Sequence, residues 1–132
     1  MTYLLDTNIA SDAIKGDPPR VRDRLVALPI RSVAISAVTQ GELIYGLAKR
    51  GNPKALSALI HAFLIRVEVL PWTGEVANVY GRLRASCAER GVSLGALDMM
   101  IAAQAVAASA ALVTRDKAFS HVRGGLTIEK WT

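Results

Sequence analysis

Tyr3-Leu4-Leu5-Asp6-Thr7-Asn8 opens the chain with three apolar residues, an acid and two good helix starters. A short apolar run bounded in this way reads as a strand buried on both faces. Asp6, Thr7 or Asn8 can then cap a helix that runs to about Lys15 and ends at Gly16. Because Thr7 and Asn8 cap well, that helix has no need of Asp6, and the acid is left at the carboxyl end of a buried strand. The pattern returns at Leu112-Val113-Thr114-Arg115-Asp116, where a second apolar run ends beside a second acid. Buried strands with acids at their carboxyl ends decide how the rest of the chain is read.

Outward from the opening, Pro18-Pro19 starts a helix with Val21, Leu25 and Leu28 on one face. Val33-Ala34-Ile35 is a second strand, after which Ser36 or Thr39 caps a helix carrying Leu43, Ile44 and Leu47. Pro53 starts another, with Leu56, Leu59, Ile60, Phe63 and Leu64 at helical spacing. Val67 to Leu70 is a third strand by its β-branched content and alternation. Thr73 to Arg90 is a long amphipathic helix with Val76, Val79, Tyr80 and Leu83 inward, closed by Gly91. Leu97 to Ser109 is an alanine-rich helix, Leu112 to Thr114 a fourth strand and Leu126 to Ile128 a fifth. Strands alternating with helices predict an α/β fold: a mostly parallel five-stranded sheet covered on both faces. Ligands of such sheets sit beyond the carboxyl ends of the strands. No repeat, low-complexity segment or linker divides the 132 residues, which are expected to form a single domain over residues 1–132.

With 52% apolar residues the chain can bury a core, which excludes a disordered protein. Its net charge of +5 suits an anionic partner such as nucleic acid, although the basic residues are scattered. Cys87 is the single cysteine, so an internal disulfide and a cysteine-rich zinc site are both excluded. The opening lacks the basic and apolar regions of a signal peptide. The longest apolar stretch, Met99 to Val113, is interrupted by Gln104 and Ser109 and is too short to span a bilayer. These features predict a soluble, cytoplasmic protein without a membrane partner.

In so basic and apolar a chain, Asp6, Glu42, Asp98 and Asp116 stand out because their neighbours are residues that get buried. Each has a plain alternative: a helix cap for Asp6, a solvated helix face for Glu42, the helix dipole for Asp98, a turn for Asp116. Glu42, however, shares its face with Val38, Tyr45 and Gly46, which predicts burial. Grouped carboxylates repel unless a cation neutralises them, and oxygen-only donors suit a hard divalent ion such as Mg²⁺ or Mn²⁺. Thr7 and Asn8 can steady a carboxylate by hydrogen bonding. Asp12, Asp17, Asp23, Glu75 and Glu89 lie near Lys or Arg and read as solvated, while His61 and His121 lack metal spacing.

The ordered motifs Tyr3–Asn8, Ser36–Gly46, Gly91–Ala103, Leu112–Asp116 and Leu126–Trp131 resemble the PIN-domain ribonucleases, and within them the VapC toxins of toxin–antitoxin pairs. The resemblance covers essentially the whole chain and implies a PIN-like three-layer α/β/α sandwich. It implies that Asp6, Glu42, Asp98 and Asp116 form the acidic pocket, with Asp6 and Asp98 as principal magnesium ligands and the Thr114 hydroxyl facing them. Gln104 stands where many relatives carry His. Also implied are Mg²⁺-dependent (Mn²⁺ possible) hydrolysis of structured RNA such as tRNA, leaving a 5′-phosphate and a 3′-hydroxyl. An inhibitory VapB-like antitoxin, a homodimer and a larger complex on operator DNA complete the expectation. The helices after Ser36 and Pro53 are the predicted walls of the antitoxin groove.

Two other classes compete. A phosphohydrolase with Asp6 as nucleophile needs a second acid two residues on, where Asn8 stands. A non-catalytic basic RNA- or protein-binding module leaves the acids unexplained.

Overall fold

Strand β1 (Tyr3–Leu5) lies at the centre of a five-stranded sheet in a computed structural model that describes residues 1–132. Around it run β2 (Val33–Ser36), β3 (Glu68–Leu70), β4 (Ala111–Val113) and β5 (Thr127–Glu129), in the order β3-β2-β1-β4-β5. Every pairing is parallel, with Tyr3 opposite both Val33 and Ala111. The mostly parallel expectation therefore becomes wholly parallel.

Successive side chains of a strand point to opposite faces, and β1 puts that rule to direct use. Leu5 enters a core cluster with Val33, Ile35 and Val113, whereas Leu4 enters a second one with Ala34 and Leu112. Both leucines are wholly buried, which requires helices on each side of the sheet. Helices α1 (Thr7–Lys15), α2 (Pro19–Ala27), α3 (Ala37–Lys49) and α4 (Lys54–Arg66) cover the Leu5 face. Helices α5 (Gly74–Glu89) and α6 (Ala96–Ala107) cover the Leu4 face, giving the three layers. The alanines of α6 let it lie close against α5 and the sheet: Ala102, Ala103 and Ala105 are fully buried.

Helix ends follow local chemistry. Gly16 terminates α1 at φ +73°, and a Cβ there would meet the Arg22 guanidinium at 2.6 Å. Arg22 folds over this glycine to donate to the carbonyls of Ala13 at 3.1 Å and Ile14 at 2.6 Å. Two 3-10 turns, Ile30–Ser32 and Lys117–His121, were not anticipated, and Leu28 falls just past the end of α2. Ser36, not Thr39, caps α3, accepting from the amide of Val38. No helix is long and apolar enough to cross a membrane.

Candidate active site

The chain runs from β1 to β2 and β3 on one side of the sheet, then returns to place β4 against the other edge of β1. The carboxyl ends of β1 and β4 therefore meet where strand order reverses, the usual position of a ligand crevice. Asp6 follows one strand and Thr114–Asp116 the other. Asp6 is buried; its Oδ1 accepts from the Ile9 amide at 2.8 Å and its Oδ2 from the Thr114 hydroxyl at 2.5 Å. Asp6 is thus the N-cap of α1, and the expectation that Thr7 or Asn8 would replace it is corrected. The cap must keep extended backbone angles, which Asp6 does by continuing the strand, while Thr7 is already helical.

Released from capping, the Thr7 hydroxyl donates to Glu42 Oε1 at 2.6 Å and lies 3.1 Å from the Thr39 hydroxyl. Asn8 is exposed, on the rim of a groove that α1, α3 and α4 form beside Glu42. Glu42 is half-buried rather than buried, because α3 turns Thr39, Leu43 and Leu47 inward and leaves Glu42 at the edge of that stripe. Tyr45, on the side of α3 that had predicted burial for Glu42, is 66% exposed. Asp98 is half-buried in the first turn of α6, behind Gly95. Asp116 is exposed and caps the Lys117–His121 turn through the Ala118 amide, while its own amide donates to the Thr114 hydroxyl at 3.0 Å. One hydroxyl, that of Thr114, therefore ties Asp6 to the backbone of Asp116.

The acids act on one another. Burial pushes the Asp98 carboxyl above the usual carboxylate range, and Asp116, Glu42 and Asp6 each push it further. Burial likewise raises Asp6; the bonds from Thr114 and Ile9 and the charge of Arg115 oppose that rise, and Asp116 adds to it. The two salt bridges of the chain, Arg24–Glu129 and Arg115–Asp12, involve none of the four. No three of the carboxylates converge into a finished metal cage, and Asp6 and Glu42 also accept hydrogen bonds from protein donors. The donor set still fits a hard divalent cation, because oxygen anions that destabilise one another gain most from one.

A PIN-domain model matches residues 3–125. The chain belongs to the PIN-domain family. It is 38% identical to the tRNA(fMet)-specific endonuclease VapC of Shigella flexneri, over 100% of this chain and 99% of that protein. The VapBC2 structure from Rickettsia felis, bound to a promoter DNA fragment, superposes with a TM-score of 0.92 at 32% identity, covering 100% of both chains. DNA-bound VapBC from Salmonella typhimurium also reaches 0.92, at 34% identity over 100% of this chain and 99% of that one. PIN-domain ribonucleases depend on a divalent metal ion.

Three features of this PIN domain escaped the sequence reading. Thr39 is fully buried and joins the Thr7–Glu42 pair; its place one helical turn before Glu42 was the available signal. Gln104, buried in α6, accepts from the Ser36 hydroxyl at 3.0 Å and donates to the Pro71 carbonyl at 3.4 Å, so it braces the carboxyl ends of β2 and β3 against α6. The basic neighbours of Asp12 predict a solvated face, whereas its side chain is only 13% exposed and is paired with Arg115, 103 residues away. No local pattern could have announced that pair.

Proposed function

We propose that this protein is a Mg²⁺-dependent endoribonuclease, the toxin of a VapBC-type pair, that cuts structured RNA such as tRNA. Mn²⁺ is the alternative ion. The observation that carries the reading is the placing of Asp6 and Asp116 after β1 and β4, where strand order reverses, with Asp98 on α6 and Glu42 on α3. Burial raises the Asp98 carboxyl, and Asp116, Glu42 and Asp6 raise it further. Asp6 and Asp98 would hold the ion, with Glu42 and Asp116 holding or orienting water around it. When bound, a divalent ion lowers the pKa of water and offsets charge that gathers on the phosphoryl oxygens. Thr7 fixes the rotamer of Glu42, and Thr114 fixes Asp6, so two carboxylates are pre-aimed before substrate arrives. Water attacking phosphorus in line leaves a 5′-phosphate and a 3′-hydroxyl. Single-stranded loops suit such a crevice, because their backbone can be splayed into it.

The partners follow from the same reading. Both superposed VapBC structures are bound to DNA, the Rickettsia felis one to a promoter fragment, which supports a VapB-like antitoxin and operator binding for this chain. Inhibition by that antitoxin and a toxin homodimer complete the proposal. The test is cleavage of total RNA with Mg²⁺ and with excess EDTA, for wild type and Asp98→Asn. Metal-dependent cutting lost in the variant supports the reading. Equal cutting in EDTA overturns it, and RNA binding without any cutting points to the non-catalytic module.

A further inference from the structure

The segment Thr114–Arg115–Asp116 is fastened to α1 at two points. Thr114 donates to Asp6 at the helix start, and the Arg115 guanidinium grips Asp12 further along, with a second contact from Nη2 to Oδ1 at 3.4 Å. Asp116 itself caps only its own turn, and its side chain makes no hydrogen bond to α1, α3 or α6. Its carboxylate is exposed, on a three-residue step between β4 and the Lys117–His121 turn. We propose that the Arg115–Asp12 pair is a positioning device that holds Asp116 in register with Asp6 and so sets the affinity of the site for its divalent ion. This rests on the reading of the four acids as metal ligands.

Two simpler roles for the pair make different predictions. As a mere surface ion pair it would leave the site untouched. As a source of field, Arg115 would repel the cation, since it sits close enough to Asp6 for each to shift the other. Removing Arg115 should then tighten metal binding. Positioning predicts the opposite sign: a cation is taken away and a cation ligand site gets weaker. Supporting groups beyond the ligands commonly change metal affinity by about tenfold or more.

The test is titration of the free protein with Mn²⁺, read by calorimetry and by the electron paramagnetic resonance of unbound Mn²⁺. Arg115→Ala and Asp12→Ala should each bind Mn²⁺ about tenfold more weakly, and the double variant no worse than either single one. Arg115→Lys, which keeps one donor and the charge, should fall between. Amide exchange at Asp116 should quicken in both alanine variants without metal, because its bond to the Thr114 hydroxyl loosens. Arg115→Ala binding Mn²⁺ as tightly as wild type or more tightly overturns the brace, as does a double variant that returns to wild-type affinity by charge cancellation. Unchanged Mn²⁺ affinity with a raised KM for RNA would instead place Arg115 on the substrate. Wild type that takes up no Mn²⁺ removes the metal site and the brace together.

Discussion

Asp6 has two duties at once, ending a strand as the cap of α1 and facing the other acids, and the two can be separated by substitution. Asp6→Asn keeps an oxygen for the Ile9 amide but removes the charge, so it should abolish cleavage without lowering the melting temperature of the metal-free protein. Asp6→Ala also removes the cap and should cost about 1 kcal/mol more by denaturant melts. Asp98→Asn likewise should abolish cleavage, and it relieves repulsion from Asp116, Glu42 and Asp6, so the metal-free variant should melt no lower than wild type. The same shifts set a pH dependence. Asp6 and Asp98 bind a proton more tightly folded than unfolded, where the ordinary value is 3.8. Metal-free protein should therefore gain stability from these groups as pH falls from neutral through their raised values, a gain complete once pH is below 3.8. Melts in mildly acidic and neutral buffer check this: Asp98→Asn should flatten its share of the slope. Saturating Mg²⁺ should reverse the sign, because the ion binds the ionised form.

Between elements, the strands and helices were legible because each carries its own local signal, and the contacts that join them were not. Leu4 and Leu5 face opposite layers for the reason that any two neighbours in a strand do, and Gly16 ends α1 by its left-handed angle. The acids were legible as anomalies of composition, each beside an apolar run. What tunes them was hidden: Thr7 could not be aimed at Glu42 without knowing how α1 and α3 cross, and Asp12 gave no hint of Arg115. Gln104 lies outside the acidic set and its sequence neighbours give no sign of a partner, yet it is buried with both ends engaged. Gln104→Leu would leave the buried Ser36 hydroxyl without its acceptor and release the part-buried Pro71 carbonyl, and should destabilise by about 1–3 kcal/mol in urea unfolding. Ser36→Ala strands Gln104 Oε1 and loses the cap of α3 as well, so it should be at least as costly. Equal stability of either variant with wild type would mean that the brace is not a net contributor.

At the scale of the molecule, a ribonuclease among cellular RNAs needs restraint, and this chain's charge distribution suggests its form. The chain is +5 overall, yet beyond the carboxyl ends of β1 and β4 Asp98 feels the charges of Asp116, Glu42 and Asp6. A guanidinium from a partner could neutralise them as an ion would, and Arg makes paired bonds to carboxylates. The approach is the groove beside Glu42, floored by Ile14, Leu43, Leu47 and Ile60 with Lys15 and Arg50 among its lining residues. Of the wall residues expected from sequence, Leu43, Leu47 and Ile60 line this groove, whereas Phe63 is core and Ile44 and Leu59, 38% and 47% exposed, lie outside its lining. An apolar segment, disordered alone and folding along this groove, could bring its arginine to Asp6 and Asp98. The expected outcome is that the product of the neighbouring gene co-purifies with this chain and the complex cuts RNA far more slowly than free protein. If an arginine does displace the ion, rising Mg²⁺ should restore part of the activity, and replacing that arginine with alanine should restore more while the two chains stay bound through the groove. A complex that cuts as fast as the free chain would end the inhibitory reading, and the nuclease would need its control elsewhere.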